Sequence, residues 1–219
     1  MDFFIQDWKG FFREPKETFK RIATYESLTI PGVLLFICGI IMGFERYLKY
    51  NAFILKLENF APRELTPHKY GMRDAEMVMA FLMPFIVLTA WLACSFACDL
   101  IAEKMGAIKG EMRDLLICFG YLSYPLLAYL IITFPLFYFG SVMKIVALEW
   151  LGGLLGFAFF LWLMYLASQV LEAISEIPMS HAFITLGITL ALYLMFFYAF
   201  IELILNQMLL AGFFEGKYQ

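Results

Sequence analysis

The sequence predicts an all-α integral membrane protein with five transmembrane helices, several of them kinked, preceded by an N-terminal amphipathic interfacial helix. Three observations favour this class. Hydrophobic residues make up 63% of the 219-residue chain and charged residues only 16%, whereas soluble domains carry about 25% charged residues. Five apolar stretches have about the 20 residues that a helix needs to cross a bilayer. Prolines and glycines inside several stretches predict bends.

Residues 1–27 are predicted to form an amphipathic segment at the membrane interface. Its first helix carries Phe4, Trp8, Phe11 and Phe12 on one side, and Asp2, Gln6, Asp7, Lys9 and Arg13 on the other. A helix with this pattern lies in the plane of the bilayer surface. Pro15 then predicts the first turn of a second short helix. We interpret the segment as an anchor packed beneath the spans or, alternatively, as a docking surface for a cytoplasmic protein.

The membrane domain is predicted over residues 28–214. Its spans fall at about 28–50, 77–99, 115–140, 148–171 and 182–210. Residues 45–76 hold many charges of both signs, which predicts a hydrophilic loop that folds as a small element, and residues 215–219 form a tail. An odd number of crossings places the two termini on opposite sides of the membrane.

Charge alone does not decide the orientation of these spans. Lysine and arginine residues number 8 on each side of the membrane, and 8 against 2 when the 45–76 loop is omitted. Because basic residues accumulate on the cytoplasmic side, the second count favours a cytoplasmic N-terminus in the cell membrane, with the C-terminus on the opposite side.

Sequence motifs for catalysis, metal binding or nucleic-acid binding are largely absent. A net charge of −3 without a basic run argues against a nucleic-acid partner. His68 and His181 lack cysteine or acidic neighbours at ligand spacing, so no metal site is predicted. No nucleophile elbow, zinc-protease motif or phosphate loop is present in the sequence. We therefore expect no catalytic residues, no cofactor and no enzyme activity.

Polar residues at membrane depth are the remaining candidates for a site, because each is costly in lipid without a partner. The candidate intramembrane polar residues are Asp99, Glu172 and Glu202. They are interpreted as interfacial or structurally paired groups, with a proton or ion pathway as the alternative.

Small residues four positions apart predict close helix packing. The pairs are Gly39 with Gly43, Gly152 with Gly156, and Ala93 with Ala97. Packing within one chain explains all three pairs, and a homo-oligomer formed through one of them is the alternative. The four cysteines also lie in predicted spans and are interpreted as small packing residues: Cys38, Cys94, Cys98 and Cys118.

The stretch GYLSYP, residues 120–125, interrupts the third span near one membrane surface. Pro125 has no amide hydrogen for the Tyr121 carbonyl, which predicts a kink there. Gly120 permits a neighbouring helix to approach closely. We expect Ser123 or a tyrosine hydroxyl to hydrogen-bond the freed carbonyl.

The order of these segments resembles that of the Yip domain family. The matching segments are FFREPKETFKRI, the Pro31-started span LTIPGVLLF, and the loop EKMGAIKGEMRD running into LLICFGYLSYP. The sharpest element is the G-Y-x-x-x-P pattern of Gly120, Tyr121 and Pro125, and the loop before it resembles that of the family's prokaryotic branch. The family consists of five-span membrane proteins whose eukaryotic members are named for interaction with Ypt/Rab GTPases.

The resemblance implies a five-helix membrane domain, a cytoplasmic N-terminus and a role in membrane organisation or traffic-like processes, without implying a reaction. The SLTIPG stretch lacks the aspartate, and the glycine before proline, of the acidic motif in eukaryotic members. Two functions remain open. One is a non-enzymatic scaffold or adaptor in the bilayer, with a membrane or cytoplasmic protein partner. The other is a small transporter, channel or lipid-handling protein.

Overall fold

A computed structural model describes residues 2–25, 27–58, 66–107, 111–143 and 145–210. Every regular element in these ranges is an α-helix. The helices are α1 (Asp2–Arg13), α2 (Pro15–Ala23), α3 (Thr29–Glu58), α4 (Thr66–Lys104), α5 (Met112–Tyr121), α6 (Ser123–Met143), α7 (Val146–Ile174) and α8 (Met179–Leu210). The predicted tail, residues 215–219, lies outside the described residues.

Five helical runs of the described chain are long and apolar enough to cross a membrane. They are Thr29–Lys49, Glu76–Lys104, Met112–Gly140, Trp150–Ile174 and Met179–Phe196. The third run consists of α5 and α6 together. The predicted class, an all-α protein with five membrane-spanning helices, is confirmed.

Residues 45–58 and 66–76 of the predicted hydrophilic loop are helical, because α3 continues to Glu58 and α4 begins at Thr66; residues 59–65 of that prediction lie outside the described residues. The charged residues extend the two helices beyond the apolar windows. Lys49 pairs with Glu45 one turn away at 2.6 Å, and Arg46 pairs with Glu76 of the other helix through two bonds of 2.6 and 3.0 Å. Ion pairs of this kind are compatible with an α-helix. The charged residues therefore show where each helix leaves the apolar layer of the membrane, and not where the helix ends.

The helices α3 and α4 form a hairpin that depends on two glycines. A side chain at Gly39 would overlap the backbone of Pro84, and one at Gly43 would overlap the Ala80 carbonyl. Ala80 is the residue whose carbonyl Pro84 leaves without a helical donor. The predicted close packing of this glycine pair is confirmed, and it brings α3 against the irregular part of α4.

The second glycine pair lies between α6 and α7. A methyl group built at Gly152 would come within 2.9 Å of the Phe137 ring, and one at Gly156 within 2.8 Å of the Tyr129 hydroxyl. This pair also packs within the chain, as predicted. By contrast, Ala93 is exposed and lines a groove between α4 and α8.

The segment α1–α2 packs against one end of the helix bundle. Phe11, Phe19 and Ile22 are at most 1% exposed and belong to the same core cluster as residues of α5, α7 and α8. The Cys118 thiol donates to the Phe19 carbonyl at 3.4 Å. Aromatic and aliphatic burial therefore joins the segment to the spans, which agrees with the interpretation of an anchor packed beneath them.

Gly39→Ala tests the hairpin contact. The added methyl group has no space beside Pro84, so we expect a loss of about 1–3 kcal/mol in unfolding free energy. Gly32 is the matched control, since a methyl group there meets nothing within 4 Å; Gly32→Ala should be neutral or stabilising by up to about 1 kcal/mol. Unfolding in detergent micelles measures both, and equal effects would contradict the packing argument.

Candidate functional site at the break in the third span

The third span is divided at Leu122. The helix α5 ends at Tyr121, and the Leu122 amide donates to the Phe119 carbonyl at 3.2 Å, which tightens the last turn. The helix α6 then begins at Ser123, which places Pro125 in its first turn. Amides in a first turn have no partner within their own helix, so a proline there costs no helical bond. The disruption predicted at GYLSYP is thus a stop and restart of the helix.

Of the two groups predicted to satisfy the freed carbonyl, Ser123 or a tyrosine hydroxyl, Ser123 does not do so. The Ser123 side chain is buried, and its hydroxyl has no hydrogen-bond partner among the described residues. The Ser123 carbonyl instead accepts a weak bond of 3.7 Å from the Cys38 thiol on α3.

Gly120 lies where three spans meet. A methyl group built on it would be 2.6 Å from the Pro31 Cβ and 3.2 Å from the Trp91 ring, so α3 and α4 both contact the end of α5. The Trp91 indole also donates to the Leu116 carbonyl at 2.9 Å. Pro31 and Pro125 are both fully buried. The structure therefore brings two of the motif residues, Pro31 and Gly120, into direct contact.

Tyr121, next to Gly120 at the contact of the three spans, connects this contact to the N-terminal segment. Its ring is 4% exposed and packs edge-on against Tyr25, with centroids 5.6 Å apart, while Tyr124 lies 5.2 Å away on the other side of the break. The Tyr25 hydroxyl donates to Asp7 at 3.0 Å. Burial, followed by the bond to Asp7, raises the pKa of Tyr25, which favours the protonated hydroxyl that donates to Asp7.

Asp7 is the buried charge of this site. It is 4% exposed, and the Arg21 guanidinium donates to its Oδ1 through Nε at 3.1 Å and Nη2 at 2.5 Å. With Tyr25, three donors compensate the carboxylate, as a buried charge requires. Asp7 lies on the polar side of α1 predicted from the sequence, and it is buried because this part of the polar side faces α2.

The candidate intramembrane residues do not form one site. Glu172 pairs with Lys16 of α2 at 2.8 Å and accepts a bond from Gln169 at 3.2 Å, which makes it a structural tie to the N-terminal segment. Asp99 is half-buried near the end of α4. Glu202 lies about 35 Å along α8 from Met179, roughly a membrane thickness away from Glu172, and its side chain is outside the described residues.

Metal ligands are not clustered in the described part of the chain, where no group of three histidine, cysteine or acidic residues could hold an ion. The four cysteines are free thiols. Three of them, Cys38, Cys98 and Cys118, are buried among neighbouring helices. The contacts around Tyr121 hold the N-terminal segment against the end of α5, which in turn packs on α3 and α4.

Sequence reasoning identified the motif residues but missed Asp7, Arg21 and Tyr25. The bonds that Arg21 and Tyr25 donate to Asp7 depend on the turn that brings α2 back against α1. No local sequence pattern specifies that turn. One signal was available, because Arg21 and Tyr25 are four residues apart and so lie on one side of a helical turn. Two hydrogen-bond donors on one side of a helical turn suggest that they share an acceptor. The spacing does not identify that acceptor.

Comparison with known proteins gives one match. The family model of the Yip1 domain matches residues 9–201, from within α1 to within α8. No curated protein and no solved structure matches the chain. The matched range includes Arg21, Tyr25 and the whole G-Y-x-x-x-P pattern.

Arg21→Gln tests the buried pair. The substitution leaves Asp7 buried without its cation, and we expect the segment to lose about 2 kcal/mol of docking free energy; this is less than for a fully buried pair because about a third of the Arg21 side chain is exposed. Chymotrypsin should then cleave at the segment's aromatic residues about 30 times faster.

Lys20→Gln is the control for this experiment. Lys20 pairs with Glu17 at 3.1 Å, and both side chains are at least half exposed. An exposed pair contributes at most about 1 kcal/mol. A cleavage rate for Arg21→Gln no higher than that of Lys20→Gln would show that Asp7 and Arg21 do not hold the segment.

Proposed function

The chain belongs to the Yip1 domain family, and from this premise we propose that it is a non-enzymatic scaffold or adaptor that holds a partner protein at the membrane surface. Its role would lie in membrane organisation or traffic-like processes. The observation that carries the proposal is the fixed position of α2, which is tied to α7 through Lys16 and Glu172 and to α1 through Arg21 and Asp7.

The outer side of α2 is the surface we assign to the partner. Glu17, Lys20 and Thr24 are exposed there, while Phe19 and Ile22 are turned into the core. A rigid surface with charges of both signs favours orientation-specific contact with another protein. Phe11, which the amphipathic pattern placed on the membrane-facing side, is 1% exposed and unavailable to a partner.

We propose that this surface is cytoplasmic and that the C-terminus lies on the opposite side of the cell membrane. Five spans support opposite sides for the two termini. The excess of basic residues outside the 45–76 region supports the cytoplasmic assignment of α1 and α2.

A photoreactive amino acid at Lys20 tests the scaffold proposal. In intact membranes we expect one discrete protein adduct at this position, and a weaker adduct when Arg21→Gln loosens the segment. Phe157 is the control position, because it is 64% exposed on α7 and should yield lipid adducts. A Lys20 probe that captures no protein, or an adduct equally strong at Phe157, would contradict a partner surface on α2.

A groove between α4 and α8 favours lipid handling as a second candidate. It has a volume of about 550 Å³ and lies at membrane depth, within the apolar windows of both helices. Its lining is largely apolar and includes Ile86, Ala93, Ala97, Leu192 and Phe196. Pockets of this size hold small apolar ligands, and in a bilayer the available ligand is an acyl chain. A second copy of the chain packed on Ala93 and Ala97 remains the alternative occupant.

Ala93→Leu tests this candidate by filling the groove. In liposomes that contain the purified protein, transfer of a fluorescent phospholipid between leaflets should slow toward the rate of protein-free vesicles. Ala158→Leu is the matched control, because Ala158 is exposed on α7 away from the groove. Parent protein that moves lipid no faster than protein-free vesicles would contradict lipid handling.

A further inference from the structure

A polar cleft lies between α1 and α2 on the side away from the core. Its volume is about 310 Å³, and its lining includes Lys9, Gly10 and Arg13 from α1, and Thr18 and Arg21 from α2. The two helices cross closely, because a side chain at Gly10 would overlap Thr18. This close crossing, together with the bonds between Arg21 and Asp7, fixes the width of the cleft without a ligand.

The charges that line the cleft do not balance one another. Arg21 is engaged by the buried Asp7, and Glu17 pairs with Lys20. Lys9 and Arg13, one turn apart on α1, are exposed and form no ion pair among the described residues. Glu14 is the remaining carboxylate of the lining. Two cations against one carboxylate leave an excess positive charge, which suits a monoanionic group.

An ion pair at the end of α7 places the cleft near one face of the bilayer. Lys16 of α2 pairs with Glu172 at 2.8 Å, and Glu172 lies two residues before the end of the apolar run Trp150–Ile174. Charged residues at the end of a membrane span lie near the headgroups. Arg13 and Glu14 of the cleft precede Lys16 by only a few residues, so the cations of the cleft lie near lipid phosphates. Phe12 extends from this level toward the apolar layer, where it stacks on Trp162 at 4.7 Å.

We infer that this cleft binds the phosphate of an anionic lipid headgroup, such as that of phosphatidylglycerol. Arg13 offers a planar fork of donors to the phosphate oxygens, and Lys9 adds a second positive charge. Basic residues near a membrane surface favour anionic lipids in this way. Glu14 opposes binding and limits its strength. The cleft shares Glu17 with the partner surface on α2, but its binding cations, Lys9 and Arg13, lie on α1.

Native mass spectrometry of the full-length protein tests the inference, with equal amounts of phosphatidylglycerol and phosphatidylcholine of the same acyl composition. The parent should retain phosphatidylglycerol preferentially. Lys9→Gln and Arg13→Gln should each lower this preference about fivefold, and Glu14→Gln should raise it. Lys104→Gln removes an exposed cation outside the cleft and should leave the preference unchanged.

Two results would overturn the inference. One is a Lys9→Gln/Arg13→Gln double variant that keeps the parent's preference for phosphatidylglycerol. Its unfolding free energy in phosphatidylcholine must equal that of the parent, which shows that the variant is folded. The other is displacement of bound phosphatidylglycerol by soluble glycerol 1-phosphate at matched concentration, which would assign the cleft to a free phosphate ester. An increase with Glu14→Gln and no displacement by glycerol 1-phosphate would support the lipid headgroup as the ligand.

Discussion

Pro125 has no hydrogen to donate to the Tyr121 carbonyl, and the interior of a bilayer provides no water to replace it. A continuous helix through residues 112–143 would retain that defect. The chain instead ends α5 at Tyr121 and restarts at Ser123. The end of α5 presents Gly120 to Pro31, and Tyr121 to Tyr25. The contact of Tyr25 with the third span depends on this restart.

Two kinds of energy hold the N-terminal segment. Phe11, Phe19 and Ile22 are removed almost entirely from solvent, and each contributes about 1.5–3 kcal/mol. The ionic contacts contribute less to the net stability, because burying Asp7 has a desolvation cost that its three bonds largely offset. Their importance lies in specificity, since an apolar surface alone would permit α2 to slide or rotate, whereas Asp7 accepts Arg21 and Tyr25 in only one register.

Much of the fold could be predicted from the sequence because lipid limits the choices. Apolar runs of sufficient length must be helices, and glycines four residues apart mark where Gly39 and Gly43 meet α4. The helices at 45–58 and 66–76 were not predicted, because hydropathy reports the surrounding solvent and helices continue into water. The burial of Asp7 was not predicted because amphipathic patterns divide a helix into only two sides, whereas α1 contacts the bundle, α2 and the solvent.

The attachment of α1 and α2 also imposes an order on assembly. These helices are synthesised before the spans, yet Cys118 and Tyr121 arrive with the third span and Glu172 only at the end of the fourth. During the synthesis of the nearly one hundred residues between Tyr25 and Tyr121, these partners of the segment are not yet present. The exposed aromatic and basic residues of the segment favour binding to the membrane surface while the spans are synthesised. The N-terminal segment is therefore made before the spans that hold it and reaches its final position after most of them.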